Sequence, residues 1–246
     1  VQEGERSIPI DTGFMVYNDA TYPNLIRLFK HLGVPTKPTS MSFSVHHGPS
    51  GVEWNGNGLN SLFAQRKNLF NLRHWQFLLQ LHRFNKEAVT ALSEPKWHSM
   101  SLGEYVDARG YGKHFLDRYL IPMSSAVWST PPDKMLHFPA ITLLRFWYNH
   151  GFLGLSGQHP WRTVEGGSRE YVKRLTGAIQ ARIHTQTPVK GVQRANGKVL
   201  IETEPYGIQS FDRVILATHA PQALQLLETP TALEREVLAP FCYQPN

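Results

Sequence analysis

The hydrophobic periodicity of this chain switches between the spacing of helices and the spacing of strands, and this switch limits its fold more than any other feature. Mixed helix and strand patterns occupy both ends of the 246-residue sequence, whereas the middle has mainly helical spacing and many aromatic side chains. A mainly helical domain inserted into an α/β domain is the simplest organisation with this order. We therefore expect a fold of the α/β class.

The predicted helices are marked by apolar stripes and by residues that begin or end helices. The first has Leu25, Phe29 and Leu32 on one face. The third begins at a capping-box pair, Ser101 and Glu104. The predicted helices are a first one with Pro23 near its first turn that Gly33 and Pro35 stop, and then about Arg73–Leu92, Ser101–Gly110, 113–127, 139–150 and one after Ser168 whose stripe is Val172, Leu175, Ile179 and Ile183.

The predicted strands lie on either side of this helical middle. Each pair shows alternating apolar and polar residues around a turn that contains glycine. The Asn196-Gly197 dipeptide is typical of a two-residue hairpin turn. The predicted strands are Met41–Val45 with the region of Val52 and Trp54, Val189–Arg194 with Val199–Thr203, and Ile208–Phe211 after Gly207.

The apolar run Val214–Thr218 has no alternation and is typical of a strand buried on both faces of a parallel sheet. Ligands of open α/β sheets bind beyond the carboxyl ends of the strands. The small residues Ala217 and Thr218 would let a cofactor approach the backbone there. A buried strand followed by a loop that needs small residues explains the same pattern equally well.

Gly166 and Gly167 precede a predicted helix. Glycines at this place allow close approach of a ligand to the backbone and leave N–H groups free to bind it. A simple helix-entry turn is the alternative. No G-x-G-x-x-G motif follows a predicted strand, so the sequence contains no phosphate-binding fingerprint.

The charge and the histidines do not indicate a nucleic-acid, membrane or metal-binding protein. The net charge is +6, but the basic residues are scattered, which favours ordinary solvated faces. No apolar stretch approaches the roughly 20 residues of a membrane-spanning helix. His46 and His47 are adjacent and would point to opposite faces of a strand, and no H-E-x-x-H motif occurs, so we expect no metal site. The sequence also lacks the G-x-S-x-G motif of serine hydrolases.

Cys242 is the only cysteine, so no internal disulfide can form, which fits a cytoplasmic protein. We interpret Cys242 as a small buried hydrophobic residue rather than a nucleophile. The chain opens with Val1 and ends at Asn246 without a closing element. We therefore expect an internal piece of a longer protein.

Several short motifs together resemble the flavin amine oxidase superfamily, which includes protoporphyrinogen oxidases and carotene desaturases. Their order along the chain, more than any single motif, carries the resemblance. The longest strings are similar to a bacterial branch of NAD/FAD-binding proteins. The motifs are Asp11-Thr12-Gly13, Leu32-Gly33-Val34, Gly166-Gly167, Thr187-Pro188-Val189, Phe211-Asp212 and Ala217-Thr218, and the longer strings are Tyr22–Leu25, Trp128–Pro131 and Trp161–Tyr171.

The resemblance implies an incomplete Rossmann-like FAD/NAD(P)-binding domain with an inserted α+β, mainly helical substrate domain. The implied division is 1–36 and 165–228 for the FAD domain, 37–164 for the substrate domain and 229–246 for a further substrate-domain segment. The N-terminal glycine motif and the C-terminal Gly-Asp segment of the family are absent from the sequence. The chain alone is therefore expected to bind FAD weakly.

The resemblance also implies roles for individual residues. The flavin ring would lie near Asp11, Thr12, Gly13 and Phe14, and the Gly166-Gly167 turn would lie at the cofactor. The adenosine and pyrophosphate would lie near Val189, Ala217, Thr218 and His219. Trp128, Tyr148 and Trp161 are candidate walls of a substrate cavity, and Arg162 is a candidate ligand for an anionic group. For each of these four residues, core packing or a surface position is the alternative.

The implied activity is hydride transfer from a largely apolar or lipid-like small molecule to FAD, without a catalytic triad. Two alternatives stay open: a flavin- or nucleotide-binding module without catalysis, and an oxidoreductase that uses NAD. The sequence determines neither the substrate nor the oligomeric state.

Overall fold

A computed structural model of the protein describes residues 1–8, 10–154, 159–177, 179 and 183–243. The chain forms two compact units, Val1–Ala178 and Ile179–Asn246, and each is described by itself. Within the described residues, no helix is both long enough and apolar enough to cross a bilayer.

The first unit contains most of the helices. They are α1 (Pro23–Leu32), α2 (Leu59–Leu62), α3 (Leu72–Ala91), α4 (Leu102–Arg109), α5 (Lys113–Phe115), α6 (Ile121–Trp128), α7 (Pro132–Met135), α8 (Ala140–Asn149) and α9 (Arg169–Gly177). Short 3-10 helices lie at 48–50, 66–70 and 95–97.

Helix α3 forms the centre of the main core. Asn71 accepts a hydrogen bond from the backbone N–H of Arg73 and so caps the helix. The inward face buries Phe77, Phe84 and Ala88 almost completely, against aromatic side chains of the other helices. The predicted helix from about Arg73 to Leu92 is confirmed to within one residue at each end.

The structure also confirms the predicted helix that begins at Ser101. The Ser101 hydroxyl accepts the backbone N–H of Glu104, and the Glu104 carboxylate accepts the backbone N–H of Ser101. Gly110 ends the helix at φ 65°, in the left-handed region that suits glycine.

Residues 113–128 form one continuous helical segment, as predicted, but its middle is a π turn, Leu116–Leu120, between α5 and α6. Pro122 follows directly and cannot donate a backbone hydrogen bond. The Ser124 hydroxyl donates to the carbonyl of Leu120 at 2.5 Å, so part of the irregular turn is held by a side chain. The predicted helix over 139–150 is confirmed as α8.

A small antiparallel sheet joins distant parts of the first unit. Its strands are β3 (Tyr17–Asn18), β4 (Thr36–Thr39) and β7 (Trp161–Val164), in the order β3-β7-β4. Helix α1 packs Phe29 against Tyr17 and Val164 in a second, smaller core. The first predicted helix is therefore confirmed, and its Gly33 ends it at φ 62°.

The remaining strands of the first unit form two hairpins. One joins β1 (Gln2–Glu3) and β2 (Arg6–Ser7), and the other joins β5 (Ser44–His47) and β6 (Val52–Asn55). Val45 pairs with Trp54, and both side chains are buried. The predicted hairpin is confirmed, although the first strand begins at Ser44 rather than Met41.

The second unit is built on three antiparallel strands, β8 (Val189–Ala195), β9 (Lys198–Thr203) and β10 (Gly207–Phe211), in the order β10-β9-β8. Asn196 and Gly197 adopt φ of 52° and 72°, which matches the predicted hairpin turn. Helices α10 (Ala220–Leu226) and α11 (Ala232–Leu238) complete the unit.

Residues 214–218 do not form the predicted buried strand. None of them is in a strand, and Ile215 is 92% exposed. An apolar run forms a central strand only where neighbouring strands accept its backbone hydrogen bonds, and the described residues pair none with it. An FAD domain formed by 1–36 and 165–228 leads us to expect one sheet with strands from both ends of the chain, but the strands near Tyr17 and near Val189 belong to separate sheets.

Helix α9 follows Gly166-Gly167-Ser168 as predicted, but its apolar stripe is not a core face. Val172 and Leu175 are both about half exposed, and so are Ile179 and Ile183 beyond the helix. Residues 178 and 180–182, over which the stripe was expected to continue, lie outside the described residues.

Candidate functional site

Asp11 and the Gly166-Gly167 turn meet in the first unit, although they are far apart in sequence. The backbone N–H of Ser168 donates to both carboxylate oxygens of Asp11, at 3.1 and 3.0 Å. A Cβ atom added to Gly167 would lie 3.3 Å from each of these oxygens. The turn therefore has room for Asp11 because residue 167 has no side chain.

Two further hydrogen bonds hold the same two stretches together. The Thr163 hydroxyl donates to the carbonyl of Met15 at 2.8 Å, and the Ser168 hydroxyl donates to the carbonyl of Phe14 at 3.3 Å. We call residues 11–15 together with 163–168 the Asp11 junction. The backbone is in the left-handed region at Phe14, Gly166 and Gly167, with φ of 45°, 80° and 88°.

The first unit contains a largely apolar cavity of about 340 Å³. The wall is built from the segment after the Asp11 junction, the 41–57 region and helices α6 and α8. Its lining residues are Val16, Tyr22, Met41, Ser42, Phe43, Gly56, Asn57, Met123, Ala126, Val127, Phe146, His150, Phe152 and Trp161. A second cavity of about 80 Å³ shares Phe43, Gly56, Met123 and Phe152 with it.

Aromatic rings surround His150 in this cavity. Its ring stacks on Phe146 at 3.9 Å between centroids and lies nearly parallel to Trp161 at 6.3 Å. His150 Nδ1 lies 2.9 Å from the carbonyl oxygen of Phe146, which can only accept, so Nδ1 carries the proton. When Nδ1 alone carries a proton, Nε2 is a hydrogen-bond acceptor.

The four cavity residues expected from the sequence occupy different places. Trp161 lines the cavity. Trp128 packs behind the wall, with its ring 4.8 Å from that of Phe146. Tyr148 is 53% exposed and is not one of the lining residues.

Arg162 alternates with Trp161 on β7 and points away from the cavity, into a separate cleft of about 560 Å³. Its guanidinium donates to the carbonyl of Thr36 at 3.1 Å and to the hydroxyl of Thr36 at 3.0 Å. The cleft also contains Asp19 and Lys30. Arg162 thus cross-links the strands of its own sheet.

The sequence did not identify most of the residues that line the cavity, among them Phe43, His150 and Phe152. The aromatic richness of the segment around Phe146 was a visible signal, but it does not say which rings face inward. Packing between α6, α8 and the 41–57 region decides that.

The second unit brings together the residues that the sequence assigns to the adenosine side of a cofactor. Val189, Ala217 and Thr218 line one open groove of about 690 Å³, together with Val192 and Ile201. The backbone at Ala217 and Thr218 is exposed. His219 lies next to them, and its ring stacks on Tyr243 at 4.2 Å between centroids.

In the parts of the chain that the structure describes, no group of three His, Cys, Asp or Glu side chains is arranged to hold a metal ion. His46 instead lies 2.6 Å from the carboxylate of Glu53. Cys242 is exposed, so the interpretation of it as a buried hydrophobic residue is wrong.

Three solved structures are similar to this chain in fold. Cyclohexylamine oxidase from Brevibacterium oxydans matches with a TM-score of 0.68 and 17% identity over 97% of this chain and 53% of that chain. A putrescine oxidase variant matches with a TM-score of 0.64 and 14% identity over 91% of this chain and 51% of that chain. A CLA-producing fatty acid isomerase from P. acnes matches with a TM-score of 0.60 and 13% identity over 94% of this chain and 52% of that chain. The chain spans about half the length of each of these structures.

Among curated proteins, none matches this chain. The family model of the flavin-containing amine oxidoreductases matches residues 1–242, which is nearly the whole sequence. The chain therefore belongs to the family of flavin-containing amine oxidoreductases, whose cofactor is FAD.

Proposed function

We propose that this protein is an FAD-dependent oxidoreductase that takes a hydride from a small, largely apolar molecule bound in the aromatic cavity. One relationship carries the proposal: the Asp11 junction and the cavity share a border. Val16 lines the cavity and lies two residues after Phe14, and Trp161 lines it from the strand that leads to Gly166. The stretch that the family resemblance assigns to the flavin ring therefore lies next to a chamber of substrate size.

The chemistry of the cavity wall supports the substrate class. A volume of about 340 Å³ is at the lower end of the range of roughly 300–1,000 Å³ found for small-molecule sites. The wall is mostly aromatic and aliphatic, with polar side chains from Ser42, Asn57 and His150 and single polar groups on the rings of Tyr22 and Trp161. It suits a substrate with an apolar body and one hydrogen-bond donor that reaches His150 Nε2.

Each unit, taken by itself, contains residues whose chemistry suits a part of FAD. In the second unit, Val189, Ala217 and Thr218 border a groove with apolar walls and exposed backbone, which suits the adenosine end. In the first unit, Asp11 to Phe14 and Gly166-Gly167 would border the flavin. Bound FAD supplies the hydride acceptor. The chain's own residues orient the substrate and exclude water from the reacting bond.

The proposal is tested on the protein expressed from its complete gene. We expect a yellow protein with the absorption bands of oxidised flavin, which bleach without oxygen when an apolar amine or related substrate is added. A purified, folded protein that takes up no flavin from an FAD titration contradicts the proposal. Flavin that stays oxidised with every amine, polyene or lipid tried supports a non-catalytic module, and tight NAD binding in its place supports the NAD alternative.

A further inference from the structure

A long stretch of one-signed charge in the first unit begins in β6 and extends through most of α3. Residues 54–86 contain no aspartate or glutamate, but they contain the five basic residues Arg66, Lys67, Arg73, Arg83 and Lys86. Four of these are exposed, and Arg83 is partly buried. Glu53 and Asp117, which lie close to this region, pair with His46 at 2.6 Å and with Lys113 at 2.8 Å. Glu87, directly after Lys86, pairs with Arg83 at 3.8 Å, so the other four basic residues carry the positive charge of the stretch.

The same stretch exposes large apolar side chains. Phe70 is 91% exposed, Leu72 78%, Leu59 71% and Leu79 66%, and Leu69 and Trp75 are about half exposed. Single exposed hydrophobic residues are common, but a concentration of them within about 20 residues marks an interaction site. We call these six side chains with Arg66, Lys67 and Lys86 the basic apolar face; Arg73 lies on another flank of α3, where its charge acts on His114 and Arg118.

Local structure holds this face in place. On α3, Leu72, Trp75 and Leu79 follow each other at i, i+3 and i+7, so they form one stripe on the side of the helix away from Phe77 and Phe84. The indole N–H of Trp75 donates to the carbonyl of Leu69 at 2.9 Å, which ties the 66–70 turn to the helix. Helix α3 therefore has two apolar sides, one in the core and one exposed.

We propose that the basic apolar face docks on the surface of a lipid bilayer that contains anionic lipids. Leucine, phenylalanine and tryptophan side chains enter the boundary between headgroups and acyl chains, while lysine and arginine contact the phosphates. The absence of acidic residues from 54 to 86 makes the charge complementary to such a surface. The protein thus lies on the bilayer through a helix face and a turn.

The docking face is connected to the cavity. Gly56 and Asn57, which line the cavity, directly precede Gly58 and the exposed Leu59. An apolar substrate dissolved in the bilayer would have a short route from the docking face into the cavity. This route rests on the proposed function, whereas docking itself requires neither flavin nor substrate.

The test is co-sedimentation of the full chain with vesicles of phosphatidylcholine, with and without phosphatidylserine. We expect binding only to the anionic vesicles and release by salt. Each exposed base near the surface strengthens binding roughly fivefold, so Lys67→Glu with Lys86→Glu should abolish it, and Phe70→Ser with Leu72→Ser should weaken it at least tenfold. The matched controls are Lys134→Glu and Leu233→Ser, which change exposed residues elsewhere and should bind like the wild type.

A second measurement does not depend on the surface variants. Brominated phosphatidylcholine in the anionic vesicles should quench the fluorescence of the wild type more than that of Trp75→Phe. Circular dichroism checks the fold of every variant. Equal binding to neutral vesicles, or unchanged binding by the two pairs of variants, overturns the proposal. Absence of vesicle binding by the folded wild type overturns it as well.

Discussion

The carboxylate of Asp11 accepts the backbone N–H of Ser168 through both of its oxygens, across 157 residues of sequence. Ser168 directly precedes helix α9, where free N–H groups and the helix dipole favour a negative charge. The interaction therefore closes a long loop of the first unit and positions the stretch that we assign to the flavin ring. Asp11 is thus a positioning residue.

Replacement of Asp11 tests this role. Asp11→Ala leaves the N–H of Ser168 without its acceptor, and we expect the free energy of unfolding to fall by about 1–3 kcal/mol. Asp11→Asn keeps one acceptor oxygen and should cost less. Urea unfolding measures both. Asp107→Ala, which changes an exposed aspartate of α4, is the control and should stay within about 0.5 kcal/mol of the wild type. An equal loss in Asp107→Ala would contradict the assignment.

Gly167 offers a test of how tightly the Asp11 junction is packed. Gly167→Ala strains a backbone at φ 88° and places a Cβ 3.3 Å from the Asp11 carboxylate oxygens. Gly51→Ala, at φ 61° with nothing within 4 Å, adds only the backbone strain. We expect Gly51→Ala to lower the free energy of unfolding by about 1–2 kcal/mol through backbone strain alone. Gly167→Ala should lower it by more. Thermal unfolding of the two variants separates these contributions, and equal losses would show that Asp11 is not confined by the turn.

The burial of the His74 side chain predicts that the free energy of unfolding depends on pH. Its Nε2 lies 3.1 Å from the carbonyl of Leu62, and its Nδ1 is buried with no partner among the described residues. Burial, with a smaller effect of the Arg118 charge, lowers the pKa of His74 below 6.5. The unfolded chain therefore binds the proton more readily than the folded chain, so the free energy of unfolding decreases as pH falls below 6.5.

His74→Phe should reduce this acid sensitivity, and the remainder comes in part from His114, whose pKa burial also lowers. The variant also loses some stability at neutral pH because the carbonyl of Leu62 loses its donor. The change in the urea midpoint of unfolding between neutral pH and about pH 5 measures this acid sensitivity. His82→Gln changes an exposed histidine of the same helix and should keep the pH dependence of the wild type. If His74→Phe keeps it as well, another group is responsible.

His150 tests the proposed chemistry of the cavity. His150→Phe keeps an aromatic ring in the stack with Phe146 and Trp161 but removes the Nε2 acceptor. The carbonyl of Phe146 still accepts the backbone N–H of residue 150, at 3.0 Å. A neutral hydrogen bond contributes about 0.5–1.5 kcal/mol, so the dissociation constant for phenol should rise about 2- to 13-fold.

Anisole has the same ring as phenol but no donor, so its affinity should not change in His150→Phe. Calorimetric titration of both molecules gives the comparison, and His137→Phe, an exposed histidine away from the cavity, is the control. Equal losses for phenol and anisole would show that the variant changes the shape of the cavity rather than removing an acceptor.

The sequence by itself determined the elements whose signals are local. The capping box at Ser101, the Asn196-Gly197 turn and the glycine end of α1 each depend on hydrogen bonds or backbone angles within a few residues. Their positions were therefore predicted closely. The family was recognised in the same way, from short motifs in a fixed order.

Only the tertiary structure decided what depends on distant partners. An apolar run such as 214–218 becomes a central strand only if other strands flank it, and the sequence does not show whether they do. Which aromatic rings line the cavity depends on how helices pack, so Trp161 faces it while Trp128 lies behind its wall. The bond between Asp11 and Ser168 is of the same kind, because the sequence near either residue contains no sign of the other.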